Sequence, residues 1–97
     1  MITGKTSQGF NFIVNEDVLN DWKFVKAIRR SESQDKGERF LGITDIIVML
    51  LGENQADKMA DFIAEKNGGT APVNIMYNYV VEILNICQKE NEEVKKS

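Results

Sequence analysis

From Phe40 to Leu51 the chain is apolar with few interruptions: Phe40, Leu41 and Ile43 precede an unbroken run from Ile46 to Leu51. A helix that is apolar nearly all round is normally the buried centre of its domain. Residues 38–51 therefore predict a central helix that the rest of the chain must wrap. The β-branched run Ile46-Ile47-Val48 also suits a strand. Helix is preferred because the pattern starts at Phe40 and Gly52 supplies a C′ stop. With 97 residues, 11.0 kDa and 42% apolar side chains, the chain has material for one small domain and a small core.

The remaining segments are the candidate wrapping. Over residues 1–14, Phe10, Phe12 and Val14 alternate with Asn11 and Ile13, a period of two that predicts a β-hairpin turning near Gln8-Gly9. Asn15 is placed to cap a helix over 16–30, with Val18, Leu19, Trp22, Val25 and Ile28 as its core stripe. On that phase Trp22 reads as core rather than contact. Residues 31–38 contain no large apolar side chain and read as an exposed loop. Asn54 is the expected cap of a helix over 54–66, whose stripe is Ala56, Met59, Ala60 and Ile63 and whose wet face holds Asp57, Lys58, Asp61 and Glu65. Thr70 and Pro72 signal the start of a last helix over 72–89. Residues 90–97 are expected to fray. The fold class is mainly α (α+β): an N-terminal hairpin followed by a compact bundle of about four helices in a single domain.

The last helix has more apolar surface than its neighbours need. On a helical wheel Val73, Met76, Tyr77, Val80, Ile83, Leu84 and Cys87 form the expected stripe. Val81 widens it on one side, and Ile75, Tyr79 and Ile86 on the other, to an arc of roughly 240° against the ~100° of an ordinary surface helix. Two readings follow. Either the hairpin and the other helices cover the whole arc, or Ile75, Tyr79 and Ile86, with Glu82 at their side, form a partner or self-association surface.

Composition removes most chemistry. His is absent and Cys87 is the single cysteine, so imidazole-dependent catalysis, zinc knuckles and an internal disulfide are all excluded. There is no phosphate-binding glycine loop, nucleophile elbow or EF-hand spacing. The chain reads as a non-enzyme without metal or cofactor. Of the net charge of −3, residues 40–88 contribute −4, with two basic and six acidic groups. That acidic middle opposes a helix-turn-helix reading around Gly52, since Asp57, Asp61 and Glu65 would face phosphates. An acyl-carrier reading fails for want of a modifiable Ser at a helix start. No signal peptide and no membrane-length apolar run is visible, which predicts a cytoplasmic protein. What remains is a domain that works by contact.

Several short strings, in order, resemble the tail assembly chaperones of long-tailed (siphovirus-type) bacteriophages and prophages. These are Gly9-Phe10-Asn11-Phe12, then Val18 to Phe24 (Val-Leu-Asn-Asp-Trp-Lys-Phe), then Leu50-Leu51-Gly52-Glu53-Asn54-Gln55, which is similar to a Leu-Leu-Gly-x-x-Gln junction between two helices. Pro72-Val73 before a Met-bearing helix and the charged end Lys95-Lys96-Ser97 complete the likeness. The resemblance implies a viral protein that binds the very long tape measure protein in the host cytoplasm, keeps it soluble, helps to bring tail tube protein to it, and is absent from the mature virion. It implies many copies acting together, consistent with a homo-oligomer, and no nucleotide, nucleic acid or membrane. The family also makes a longer form by ribosomal frameshifting, for which codons at Lys95-Lys96 are the expected place. The alternative reading is a cytoplasmic helical adaptor or regulatory protein-binding domain.

Overall fold

The computed structural model describes the chain from Met1 to Lys96, with side chains to Glu90. Strands β1 (Ile2–Lys5) and β2 (Asn11–Val14) pair antiparallel with Ile2 opposite Val14 and Gly4 opposite Phe12. Their alternation sends Ile2, Phe12 and Val14 inward and leaves Thr3, Lys5, Asn11 and Ile13 on an exposed face. Gly4 is required here, because a Cβ at this position would sit 2.7 Å from the Phe12 ring. At the turn, Thr6 N–H donates to Phe10 O at 2.9 Å and Gly9 adopts φ 101°, a conformation glycine accepts without strain.

Asn15 does cap a helix, accepting from Asp17 N–H at 3.0 Å, but that helix is a single 3-10 turn, Glu16–Asn20. The expected helix over 16–30 is broken at Asp21. Asp21 is extended (φ −76°, ψ 134°), and its carboxylate accepts from Lys23 N–H at 2.7 Å, starting a new helix α1, Trp22–Ser31. Asn20-Asp21 thus supplies a second capping signal inside a continuous-looking stripe. The restart changes the phase. Phe24 and Ala27 are buried and Ile28 is half-buried, while Trp22 and Val25 turn outward.

Helix α2 begins at Lys36, two residues before the expected start at residue 38, and runs to Leu51. Asp35 caps it by accepting from Glu38 N–H at 3.0 Å. The expected loop shrinks to a short connection, which Arg39 holds by donating from Nε to Ser33 O at 2.9 Å. A short connection forces α1 and α2 to pack antiparallel, and Gly42 lets them meet at close range. A Cβ on Gly42 would lie 2.4 Å from Ser31 N and 2.7 Å from the Arg30 carbonyl carbon. Gly52, with φ 77°, then ends α2 and opens α3, Glu53–Lys66. Asn54 is not its cap but lies inside the helix, and no side chain caps α3. Helix α4 runs Val73–Lys96, past the residue 89 where fraying was expected. Ser97 and the side chains beyond Glu90 lie outside the described residues.

The core gathers Phe12, Val14, Phe24, Ile46, Met59, Ile63, Val80, Ile83 and Cys87. The hairpin is joined to the helices through its backbone as well as its phenylalanines. Gln55 of α3 takes the place of a neighbouring strand at Ile13: Ile13 N–H donates to Gln55 Oε1 and Gln55 Nε2 donates to Ile13 O, both at 2.8 Å. Lys66 Nζ donates to Gln8 O at 2.9 Å and sits 4.4 Å from the Phe62 ring centre. Glu82 of α4 accepts from Ser7 N–H at 2.6 Å and from Ser7 Oγ at 3.0 Å.

Gly42→Ala should destabilise the chain by about 1–3 kcal/mol through overpacking, although alanine is the better helix former by about 1 kcal/mol. Urea or thermal unfolding followed by circular dichroism measures the sign. A neutral or stabilising result would show that α1 and α2 separate freely.

Candidate functional site

The outer arc of α4 was the sequence candidate, and most of it is covered. Tyr79 is buried at 5% exposure, edge-on to Phe62 at 6.3 Å between ring centres, and Phe62 in turn packs on Phe10 at 5.5 Å. Ile75 and Ile86 are half-buried against the core. Glu82 is engaged with the hairpin turn through Ser7. Tyr79 and Glu82 therefore leave the list of partner contacts; they hold the hairpin on α4. Among the large apolar side chains of the described part of α4, Val81 alone is exposed, at 38%. The physical reason is Phe62 of α3, which covers Tyr79 and is itself backed by Phe10 of the hairpin.

Most of the exposed large apolar side chains lie instead on α1 and α2, with Met1 and Ile13 exposed at the hairpin. Trp22 is 66% exposed, Phe40 52%, Leu41 47% and Val48 43%. This corrects two expectations: Trp22 is not core, and α2 is not wrapped. Only one side of α2 is buried, through Gly42, Ile46, Ile47, Leu50 and Leu51. Leu41 and Val48, seven residues apart, share the outer face with Thr44 and Asp45. A clue to this face was present in the sequence. Gly42 marks the line along which another helix approaches, and Ile46 follows it one turn later. Phe40, Leu41 and Val48 fall off that line, in company with polar Thr44 and Asp45.

Between α1 and α2 runs a groove of about 520 Å³, lined by Lys23, Lys26, Ala27, Arg30, Asp45 and Met49. Arg30 spans it, donating from Nε to Glu38 at 2.9 Å and from Nη1 to Asp45 at 3.2 Å. Lys23, Lys26 and Arg29 form no ion pair among the described residues. A second and wider groove, about 940 Å³, lies along the exposed hairpin face and the α2–α3 junction, with Lys5, Ile13, Glu53, Gln55 and Lys58 on its walls.

Among the described residues no three His, Cys, Asp or Glu side chains converge on one point. Burial pushes the Cys87 thiol up to about 11, with the Glu90 and Glu16 carboxylates adding to the effect. A buried, protonated thiol is a poor nucleophile. No helix among the described residues is long and apolar enough to cross a membrane. No protein-family model, curated protein or solved structure matches the chain.

Two outcomes test this assignment of core and surface. Tyr79→Glu should cost about 3 kcal/mol or more, because it removes a packed ring and buries a carboxylate. Val81→Glu, on the exposed side of the same helix, should stay within about 0.5 kcal/mol of wild type. Chemical denaturation of both variants decides between a covered and an open arc. The raised thiol pKa adds a pH dependence. The unfolded thiol ionises near its ordinary 9.0 while the folded one holds its proton to about 11. Stability is thus complete below pH 9 and falls as pH rises towards 11. A Cys87→Ala variant, unfolded in urea across that range, should lose this part of the slope.

Proposed function

We propose that the chain is a tail assembly chaperone of a long-tailed bacteriophage or prophage. On this reading it binds the tape measure protein in the host cytoplasm, keeps it soluble while the tail is built, and is absent from the finished virion. It works by stoichiometric contact, in many copies and without nucleotide, and tail tube protein is a second partner. The observation that carries the reading is the exposed set Trp22, Phe40, Leu41 and Val48 on a chain of 97 residues. A small domain that leaves a Trp and three more large apolar side chains in water has surface to give to a partner. A long helical protein with apolar faces needs such surface supplied many times along its length.

The strings that resemble the family add support, because they sit where the fold is most constrained. Asp21-Trp22 restarts a helix and presents the Trp. Gly52 turns α2 into α3, and Gln55 clamps the hairpin edge. The same surface also suits a cytoplasmic helical adaptor, and genomic neighbourhood separates the two: a gene lying between those for a major tail protein and a very long helical protein favours the chaperone.

The direct test is co-expression with that long protein. The expected outcome is that it moves from the insoluble to the soluble fraction and elutes with this chain on size exclusion. A tape measure protein that stays insoluble, with no complex formed, overturns the proposal.

A further inference from the structure

We infer that the groove between α1 and α2 seats an acidic amphipathic helix of a partner protein, with its carboxylates over Lys23 and Lys26 and its apolar edge against Leu41 and Val48. The inference rests on the reading of the chain as a contact protein for a helical partner, and it names the chemistry that the partner must carry. The two rims of the groove differ. The α1 rim is cationic: the helix has four basic side chains and no acidic one. Arg30 is engaged with Glu38 and Asp45, which leaves Lys23 and Lys26 as exposed cations without a partner among the described residues. The floor is apolar, from Ala27 and Met49. The α2 rim continues from Asp45 to Leu41 and Val48, four residues before it and three after, about half exposed each. Asp45, the carboxylate within the groove, is paired with Arg30, which weakens its repulsion of an incoming acid.

The occupant must be a helix because both walls are helices whose backbone groups are satisfied internally. An extended peptide finds no free strand edge to pair with here, so recognition falls to side chains, as in helix-in-groove binding. With ten residues, α1 is about 15 Å long, which matches a partner segment of about three turns. Lys23 and Lys26 are three apart, the spacing that meets carboxylates on successive turns of a facing helix. A second copy of this chain fits poorly. Its acidic edge, Asp57, Asp61 and Glu65 on α3, has no exposed apolar companion, since Ala56, Met59 and Ile63 are buried. An extended polyanion, whether a membrane surface or a nucleic acid, would also meet the acidic remainder of a chain of net charge −3.

The test uses the full chain and a fluorescein-labelled helical peptide of about 20 residues, long enough to hold its own helix, with Glu at every fourth position beside a row of Leu. A second peptide carries Lys for each Glu. Binding is read as the rise in fluorescein anisotropy on titration with the chain. The Glu peptide should bind, more weakly as salt is raised. Lys23→Glu with Lys26→Glu should weaken it by about tenfold or more and turn preference to the Lys peptide, with the thermal unfolding of the chain unchanged. Leu41→Asn with Val48→Asn should weaken both peptides, and Val81→Asn neither. Failure of the Glu peptide to bind, equal binding of both peptides, or binding of anionic vesicles, of duplex DNA or of a second copy of the chain in place of either peptide overturns the inference. The two proposals also fail separately. A soluble complex with the long helical protein that survives the double lysine reversal removes the groove and leaves the chaperone. Peptide binding without any such complex does the reverse.

Discussion

The fold depends on a hairpin that could not stand by itself. Two strands of four residues are marginal in water, and here they persist because three helical side chains hold their backbone. Gln55 pairs with both backbone groups of Ile13, Lys66 with Gln8, and Glu82 with Ser7. Each bond is modest, since a net hydrogen bond contributes about 1 kcal/mol, but together they fix the register of the sheet against the bundle. Phe10 then lands on Phe62 and Phe62 on Tyr79, and this stack is what allows α4 to be apolar over so wide an arc. With Phe62 held between them, Tyr79 is core, while Ile75 and Ile86 stay half-buried and Val81 exposed.

The covering is one-sided, and the consequence appears on the other half of the molecule. Hairpin, α3 and α4 share one another's apolar faces. Helices α1 and α2 close on each other through Gly42 and contribute only their inner faces to the common core. Among the described residues nothing covers Phe40, Leu41 or Val48 on their outer side. Phe40, Leu41 and Val48 stay half exposed there, separated by Thr44 and Asp45, while Trp22 stands on the far side of its own helix. These apolar side chains are dispersed and interleaved with Lys23, Lys26 and Arg29, and they leave apolar area in water.

Much of the architecture was legible in the residues, because hairpin alternation, Gly52 as a helix stop and the Ala56-Met59-Ile63 stripe are local patterns with a single good solution. The misreadings share a cause. Trp22 was placed in the core by counting from Val18, and a count of period 3.6 is valid only while the helix is unbroken. Asp21 resets it, and an Asp within a helical stretch is ambiguous until its backbone conformation is known. Helix α2 was placed at the centre because it has so many apolar residues. Composition cannot tell a helix surrounded by its own chain from one whose second face is kept for another. Conversely, Tyr79 on the outer arc of α4 is covered by Phe62 of α3, on which Phe10 of the hairpin packs in turn, a chain of contacts that no local pattern encodes. Of the two readings of that arc, the covered one holds at Tyr79, while Ile75 and Ile86 remain half-buried.

Binding by such a surface is efficient only if the groove is rigid before the partner arrives, because ordering loose side chains and helices on binding subtracts from affinity. The α1–α2 pair meets that condition by two means of different kind. Gly42 sets the distance between the helices by backbone contact, which has little freedom to relax. Arg30 sets the angle, tying Glu38 and Asp45 of α2 to the last turn of α1. Those ion pairs are exposed and add little to stability. They leave Lys23, Lys26 and Arg29 as the α1 cations without an ion pair among the described residues, and the positive charge of that rim is theirs. Geometry and charge are therefore settled by the same few residues, at the point where the two helices come closest.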